Sequence, residues 1–174
     1  YIKEAQLAKS NVERGSMFMS DLIVGTICGG SDATSGITAN PAVGRAFDLM
    51  VPMGARCIFE ETGELIGCEE NLRPRASSKE VERAMIDSIH KADRYYAKLG
   101  HGSFAPGNAD GGLSTIEEKS LGSYCKSGSL LVSGVIAPGD IPKEPGLYLM
   151  DVVPEGEPRF GFPNINDNAE IMEL

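Results

Sequence analysis

Apolar residues recur at two spacings along the chain, and the switches between them mark out alternating helices and strands. Ile2, Ala5, Ala8 and Val12 stand three or four residues apart, which predicts a first helix over about residues 2–14 that ends at Gly15. Residues 22–27 form a short strand candidate. Asn40 and Pro41 supply an expected N-cap and first-turn proline to a helix with Val43, Ala46, Phe47 and Met50 on one face, closed by Pro52 and Gly54 near Met53. Residues 56–60 read as a second strand and 62–72 as a short helix. The longest helix is predicted over residues 79–99, capped by Ser77 and Ser78, with Val81, Ala84, Met85, Ile89, Ala92, Tyr96 and Leu99 on one face and Gly100 as terminator. Ser114 and Glu117 spell a capping box for a further short helix through Leu121. Residues 130–132 and 135–136 look like strand material around Gly134, and 147–153 like an apolar strand with Asp151 set within it.

Strand, crossover helix and strand in that order favour a parallel pair, and therefore an α/β class. The expectation is a mostly parallel sheet with flanking helices and glycine-rich ligand loops at strand ends, in a single catalytic domain over residues 1–174. The chain opens at Tyr1 without an initiator Met and stops inside a helix-like pattern at Leu174, so an excerpt of a longer protein is expected.

Composition narrows the function classes. Hydrophobic residues make up 41% and charged ones 24%, an ordinary globular balance that argues against disorder. A net charge of −9 with no Lys/Arg block to offset it disfavours nucleic acid as a partner. Cys28, Cys57, Cys68 and Cys125 include no Cys-x-x-Cys pair, so thiols are expected. With no apolar run of membrane-spanning length and no signal-peptide pattern, the expected location is the cytoplasm and no membrane partner is foreseen.

Chemistry concentrates in loops. Residues 25–41 place Cys28, Asp32 and the hydroxyls of Thr26, Ser31, Thr34, Ser35 and Thr38 on one strand-to-helix connection, the part of an open α/β sheet where ligands usually sit. The bland alternative is a tight polar turn that caps the next helix. Residues 101–113 form a second glycine-rich connection, long for an inert one, and residues 154–168 a third. Three such loops suit a small polar ligand with several oxygens. The patterns of phosphate-binding loops are missing from the first, so a nucleotide is a weak candidate. Cys28, Asp32, Glu60, Glu61 and Asp110 offer thiolate and carboxylate ligands for a metal, without any sequence-local metal signature. His90 reads as helix surface, and His101 as a residue answering the helix dipole. Lys119 faces the second loop as a candidate base or carboxylate anchor, against the plainer reading of a solvated lysine.

Cys28-Gly29-Gly30-Ser31-Asp32 followed by Ser35-Gly36-Ile37-Thr38-Ala39-Asn40-Pro41-Ala42 resembles the core signature of the altronate/galactarate dehydratase family. Pro106-Gly107-Asn108, Gly111-Gly112-Leu113 and Ile116 to Gly122 look like the same family, in the same order, so the likeness covers roughly residues 20–151. The resemblance implies a metal-dependent β-eliminating lyase of the dehydratase type acting on a small hydroxy acid such as altronate or galactarate. A base would remove the proton α to the carboxylate, a metal or cation would stabilise the enediolate, and an acid would assist the leaving hydroxyl. The implied cofactor is a divalent metal, iron(II) first, with manganese or magnesium as alternatives.

Carried over by position, Cys28, Ser31, Asp32 and Lys119 are the implied catalytic residues. Ser35, Thr38, Arg75 and Asn108 are implied substrate contacts, and Cys28, Asp32 and Glu60 candidate metal ligands. One block departs from the sugar-acid pattern: Arg159 to Asn168 looks closer to the large subunit of sulfolactate sulfo-lyase, a relative that expels sulfite, which makes Arg159 an expected anion contact. From another function class, a non-catalytic binding domain for a polar organic anion would use the same loops without turnover. The partners expected are a small hydroxy acid, further copies of the chain, and a small N-terminal-type domain or subunit.

Overall fold

The computed structural model describes residues 2–28, 30–60, 62–100 and 102–153. In chain order the helices and strands are α1 (Ile2–Ser10), β1 (Ile23–Thr26), α2 (Ala39–Met50), β2 (Arg56–Phe59), α3 (Glu69–Leu72), α4 (Lys79–Leu99), α5 (Pro106–Asp110), α6 (Ile116–Tyr124), β3 (Val132–Ile136) and β4 (Gly146–Met150). Short 3-10 turns join several of them. The four strands pair in parallel in the order β1-β2-β4-β3, with Val24 beside Cys57, Cys57 beside Leu147 and Leu149 beside Val135. An α/β fold with a parallel sheet and flanking helices is therefore observed. All strands end on the same side, so the Cys28 loop and the turn after β2 emerge together.

Alternation along the strands buries both faces of the sheet, as a parallel sheet covered by helices requires. Cys57, Phe59, Leu147 and Leu149 join Phe47, Leu65, Leu72 and Val132 in one core cluster. Ile58 and Met150 point the other way, into a second cluster with Val152 and Val153. α4 serves both, giving Met85 and Ile89 to the first and Ala92 and Tyr95 to the second. Its bounds match the sequence expectation because the periodicity is unbroken, Ser78 Oγ accepts from Val81 N at 3.2 Å, and Gly100 takes a left-handed φ of 82°.

Several boundaries differ from expectation. α1 stops at Ser10, and all of its residues are exposed. Asn40 is not the N-cap of α2 but lies inside it, where its buried Nδ2 donates to Gly122 O at 3.0 Å. The expected helix over 62–72 is two pieces, a 3-10 turn at Thr62–Glu64 and α3, with the left-handed Gly67 (φ 89°) between them. The capping box of α6 is shifted by one residue: Thr115 Oγ1 accepts from Glu118 N, and Glu118 Oε2 accepts from Ser114 N and Oγ. Asp151 falls just past β4, where Lys91 and Ser88 hold its carboxylate at 2.9 and 3.2 Å. Among the described residues no helix is long and apolar enough to cross a membrane, and all four cysteines are thiols.

Candidate active site

The first loop builds its own scaffold. Asp32 Oδ1 accepts from Thr34 N and Thr34 Oγ1 at 2.7 Å and from Ser35 N at 2.8 Å, while Ser35 Oγ donates to Asp32 O at 2.8 Å. The Thr34 hydroxyl, then the backbone N–H groups of Ser35 and Thr34, hold the Asp32 carboxyl below its ordinary pKa. Thr38 Oγ1 donates back to Thr34 O at 2.7 Å. Much of the polar density of this loop thus shapes the turn, and the exposed Asp32 is its organising acceptor. Cys28 and Ser31 stay outside that ring, with Sγ and Oγ 3.3 Å apart.

The second loop closes on the first. Asn108 accepts from Ala105 N through Oδ1 at 2.9 Å and donates through Nδ2 to Ser31 O at 3.3 Å. Ala33 N donates to Gly111 O at 3.0 Å. Beyond that contact, α6 brings in Lys119, whose Nζ donates to Ser103 O at 2.7 Å and lies 3.2 Å from Glu64 Oε1. Glu64 comes from the 3-10 turn after β2. Its Oε2 accepts from Ser123 Oγ at 2.9 Å, and its Oε1 accepts from Ser31 Oγ at 3.4 Å. Three segments distant in sequence therefore meet at one carboxylate.

Electrostatics follow from that meeting. Burial alone raises the Glu64 pKa, but the Lys119 and Lys126 ammoniums and the bonds from Ser123 and Lys119 outweigh it, so Glu64 is held below the usual carboxylate value. Tyr96 lies within reach of the same charges: burial, then Glu64, Tyr95 and Glu60, push its phenol up to about 12. An ammonium has three N–H donors, and Ser103 O and Glu64 engage two of those on Lys119. The third has no partner among the described residues. Lys119 lines a cavity of about 240 Å³ together with Ser31, Ser35, Asn40, Glu118 and Ser123.

The expected site residues divide accordingly. Ser31, Asp32, Ser35 and Lys119 line this cavity, Asn108 is bonded to Ser31 O without lining it, and Cys28 Sγ lies 3.3 Å from Ser31 Oγ. Thr38 is turned back into its own helical turn. Arg75, expected to grip a carboxylate, is buried elsewhere: Nε, Nη1 and Nη2 all donate to Ser127 or to Leu130 O, and the guanidinium lies 5.1 Å from the Tyr124 ring centroid. Glu60 is fully buried at the end of β2. Glu61, His101 and Arg159 lie outside the described residues.

The expected metal ligands do not assemble here. Among the described residues no three His, Cys, Asp or Glu side chains form a set that would hold a metal ion. Asp32 Oδ1 already accepts three hydrogen bonds, and Glu64 is paired with a lysine. The described donor set by itself does not fit a divalent metal.

The family profile described as D-galactarate/altronate dehydratase, C-terminal, matches residues 19–163, which take in both loops, Glu64 and α6. The chain belongs to that family. It is 42% identical over 151 residues to galactarate dehydratase (L-threo-forming) of Escherichia coli (strain K12), covering 84% of this chain and 29% of that protein. It is 38% identical over 152 residues to altronate dehydratase of Bacillus subtilis (strain 168), covering 86% of this chain and 31% of the relative. It is also 40% identical over 148 residues to (2R)-sulfolactate sulfo-lyase subunit beta of Chromohalobacter salexigens, covering 82% and 38%. The chain thus spans about a third of the length of these curated relatives. These relatives are lyases by name, and this domain of the dehydratase family carries the loop signature that the sequence displays.

Sequence reasoning missed Glu64 and Ser123. Glu64 sits in a single 3-10 turn with no periodicity to expose it. Ser123 stands four residues after Lys119 on α6, so helical spacing alone puts it on the lysine's face.

Proposed function

We propose that the full-length protein is a β-eliminating lyase acting on a small hydroxy carboxylic acid, and that the Ser31–Lys119 cavity is part of its active site. The observation that carries this reading is the convergence of the family's signature loop, Leu113 of the second loop and Lys119 on one cavity, with Asn108 bonding the second loop to the first. In the reaction a base takes the proton α to the carboxylate, and the C–H electron pair becomes the enediolate. The pair then returns to form the C=C bond as the β-substituent leaves with its bonding electrons. Lys119 serves as the cation facing substrate carboxylate oxygens, where charge grows as the enediolate forms. Two of its N–H groups are engaged by described residues, so an ammonium fixed in this way suits electrostatic stabilisation better than proton abstraction. Asn108 joins the two loops, and Ser31 lies within reach of both Cys28 Sγ and Glu64.

Dehydration of a sugar acid such as altronate or galactarate is the first reading. Sulfite release from sulfolactate is the second, supported by the 40% identity to the sulfo-lyase subunit. Assaying full-length protein for keto acid from altronate and galactarate, and for sulfite from sulfolactate, separates them. A protein that binds these acids and forms neither product, with iron(II), manganese or magnesium supplied, would be a binding domain and not an enzyme. Metal content of the purified full-length protein, with iron(II) the first expectation, is the companion measurement, and a complete ligand set would need residues beyond the described ones. Cytoplasmic residence and assembly into homo-oligomers with a small N-terminal-type domain or subunit belong to the same proposal. Cell fractionation and light scattering test them, and a monomer in the membrane fraction would contradict both.

A further inference from the structure

We infer that Glu64 is a positioning residue for the reaction, fixing the Lys119 ammonium at the cavity wall. Its catalytic consequence rests on the elimination reading above. The geometry is a two-sided clamp. Ser103 O and Glu64 Oε1 hold Nζ at 2.7 and 3.2 Å, while Ser123 Oγ, 2.9 Å from Glu64 Oε2, keeps the carboxylate from turning away.

Stability does not account for this arrangement. The side chains of Lys119 and Glu64 are only 7% and 5% exposed, and a well-packed apolar pair of similar volume in place of a buried ion pair is often no less stable, even where the charges are well compensated. A buried charged pair whose lysine lines the cavity beside the signature loop is instead what a fixed cation for an anionic ligand requires. The carboxylate also ties the site to the sheet, because the turn that carries it follows β2 directly. Lys119 is thereby located by the sheet as well as by its own helix.

The test is a double-mutant cycle in the full-length protein with Glu64→Ala, Lys119→Met and the pair combined, and with Glu64→Gln in parallel. Glu64→Ala is expected to lower kcat/KM about 100-fold and Glu64→Gln about tenfold, because a charged partner holds an ammonium more firmly than a neutral one. The double variant is expected to match Lys119→Met within about twofold, since Glu64 acts through the lysine. Urea midpoints certify folding; should Glu64→Ala not fold, the cycle is completed with Glu64→Gln. Losses that multiply independently would overturn the inference while leaving the lyase reading standing. Absence of turnover in the wild type would instead overturn the lyase reading. In that event a crystal structure of the Glu64→Gln protein decides the positioning role, which fails if Lys119 Nζ stays at its wild-type distance from Ser103 O and holds if it moves away.

Discussion

Gly36 and Gly122 mark the point where the signature loop touches α6, and replacing Gly36 by alanine probes how far the site depends on that approach. A Cβ at Gly36 would lie 2.9 Å from Gly122 Cα and 3.9 Å from Gly122 N. Carbon atoms settle at about 3.5–4.0 Å, so loop and helix would have to part by roughly 0.6 Å or more, backbone against backbone, with no side chain able to swing aside. Overpacking of this kind costs about 1–3 kcal/mol. Gly36 does not use positive φ, so alanine recovers about 0.4–1 kcal/mol through a less flexible unfolded chain. The net expectation is a destabilisation between about 0 and 2.6 kcal/mol, centred at about 1.3 kcal/mol.

The functional effect should be larger than that. Ser31 rides on the displaced loop and Lys119 on the helix, and a misplacement near 1 Å costs about 100-fold in rate, so kcat/KM should fall about 10- to 100-fold. Gly122→Ala is the comparison. Its Cβ would meet Gly36 Cα at a looser 3.3 Å, and alanine in a helix interior gains about 1 kcal/mol over glycine, so stability should hardly move. Urea denaturation and steady-state turnover of full-length protein provide the two readouts. Wild-type kcat/KM together with a wild-type midpoint in Gly36→Ala would show slack between loop and helix, and would refute the reasoning.

Other perturbations separate architecture from chemistry. Arg75→Met strips the donors from Ser127 O and Leu130 O, and with about 1–3 kcal/mol for each buried group left unpaired it should destabilise by roughly 3 kcal/mol at unchanged KM. A tenfold rise in KM at wild-type stability would instead return Arg75 to the substrate. Because the Glu64 pKa is depressed in the folded state, its contribution is fully present above the unfolded value of about 4.3 and is lost as pH falls through the lower folded value. The stability gap between wild type and Glu64→Gln, followed by urea midpoints, should therefore be constant above about pH 5 and narrow below about pH 4. A gap that widens on acidification would contradict the ion-pair account. Asp32→Asn keeps the acceptor oxygen that organises the first loop, so it should fold normally; a loss of turnover or metal content would assign the carboxylate a chemical role, and wild-type activity a structural one.

What was legible in the sequence follows contact range. α4 was readable to the residue because its signals are local: an uninterrupted apolar face, Ser78 before it and Gly100 after it. The α/β class followed from the order of strand and helix patterns. The strand order β1-β2-β4-β3 did not, since β4 inserts between β2 and β3 through contacts that no local pattern encodes. The same limit applies to the site. The Cys28 loop and Lys119 carried recognisable motifs, whereas Glu64 gains its importance from Ser123, 59 positions away, and from Lys119. Arg75 shows the reverse case, in which a cation fit for an anion is consumed by backbone carbonyls of the segment before β3.

The central claim is that Lys119 belongs to an elimination site. Steady-state assay of full-length wild-type and Lys119→Met protein, for keto acid from altronate or galactarate and sulfite from sulfolactate, tests it most directly. The expected result is product formation by the wild type from one of these acids and a loss of at least about 100-fold in kcat/KM in the folded variant, the scale on which removal of a single charge-stabilising group acts. Wild-type turnover by Lys119→Met would contradict it.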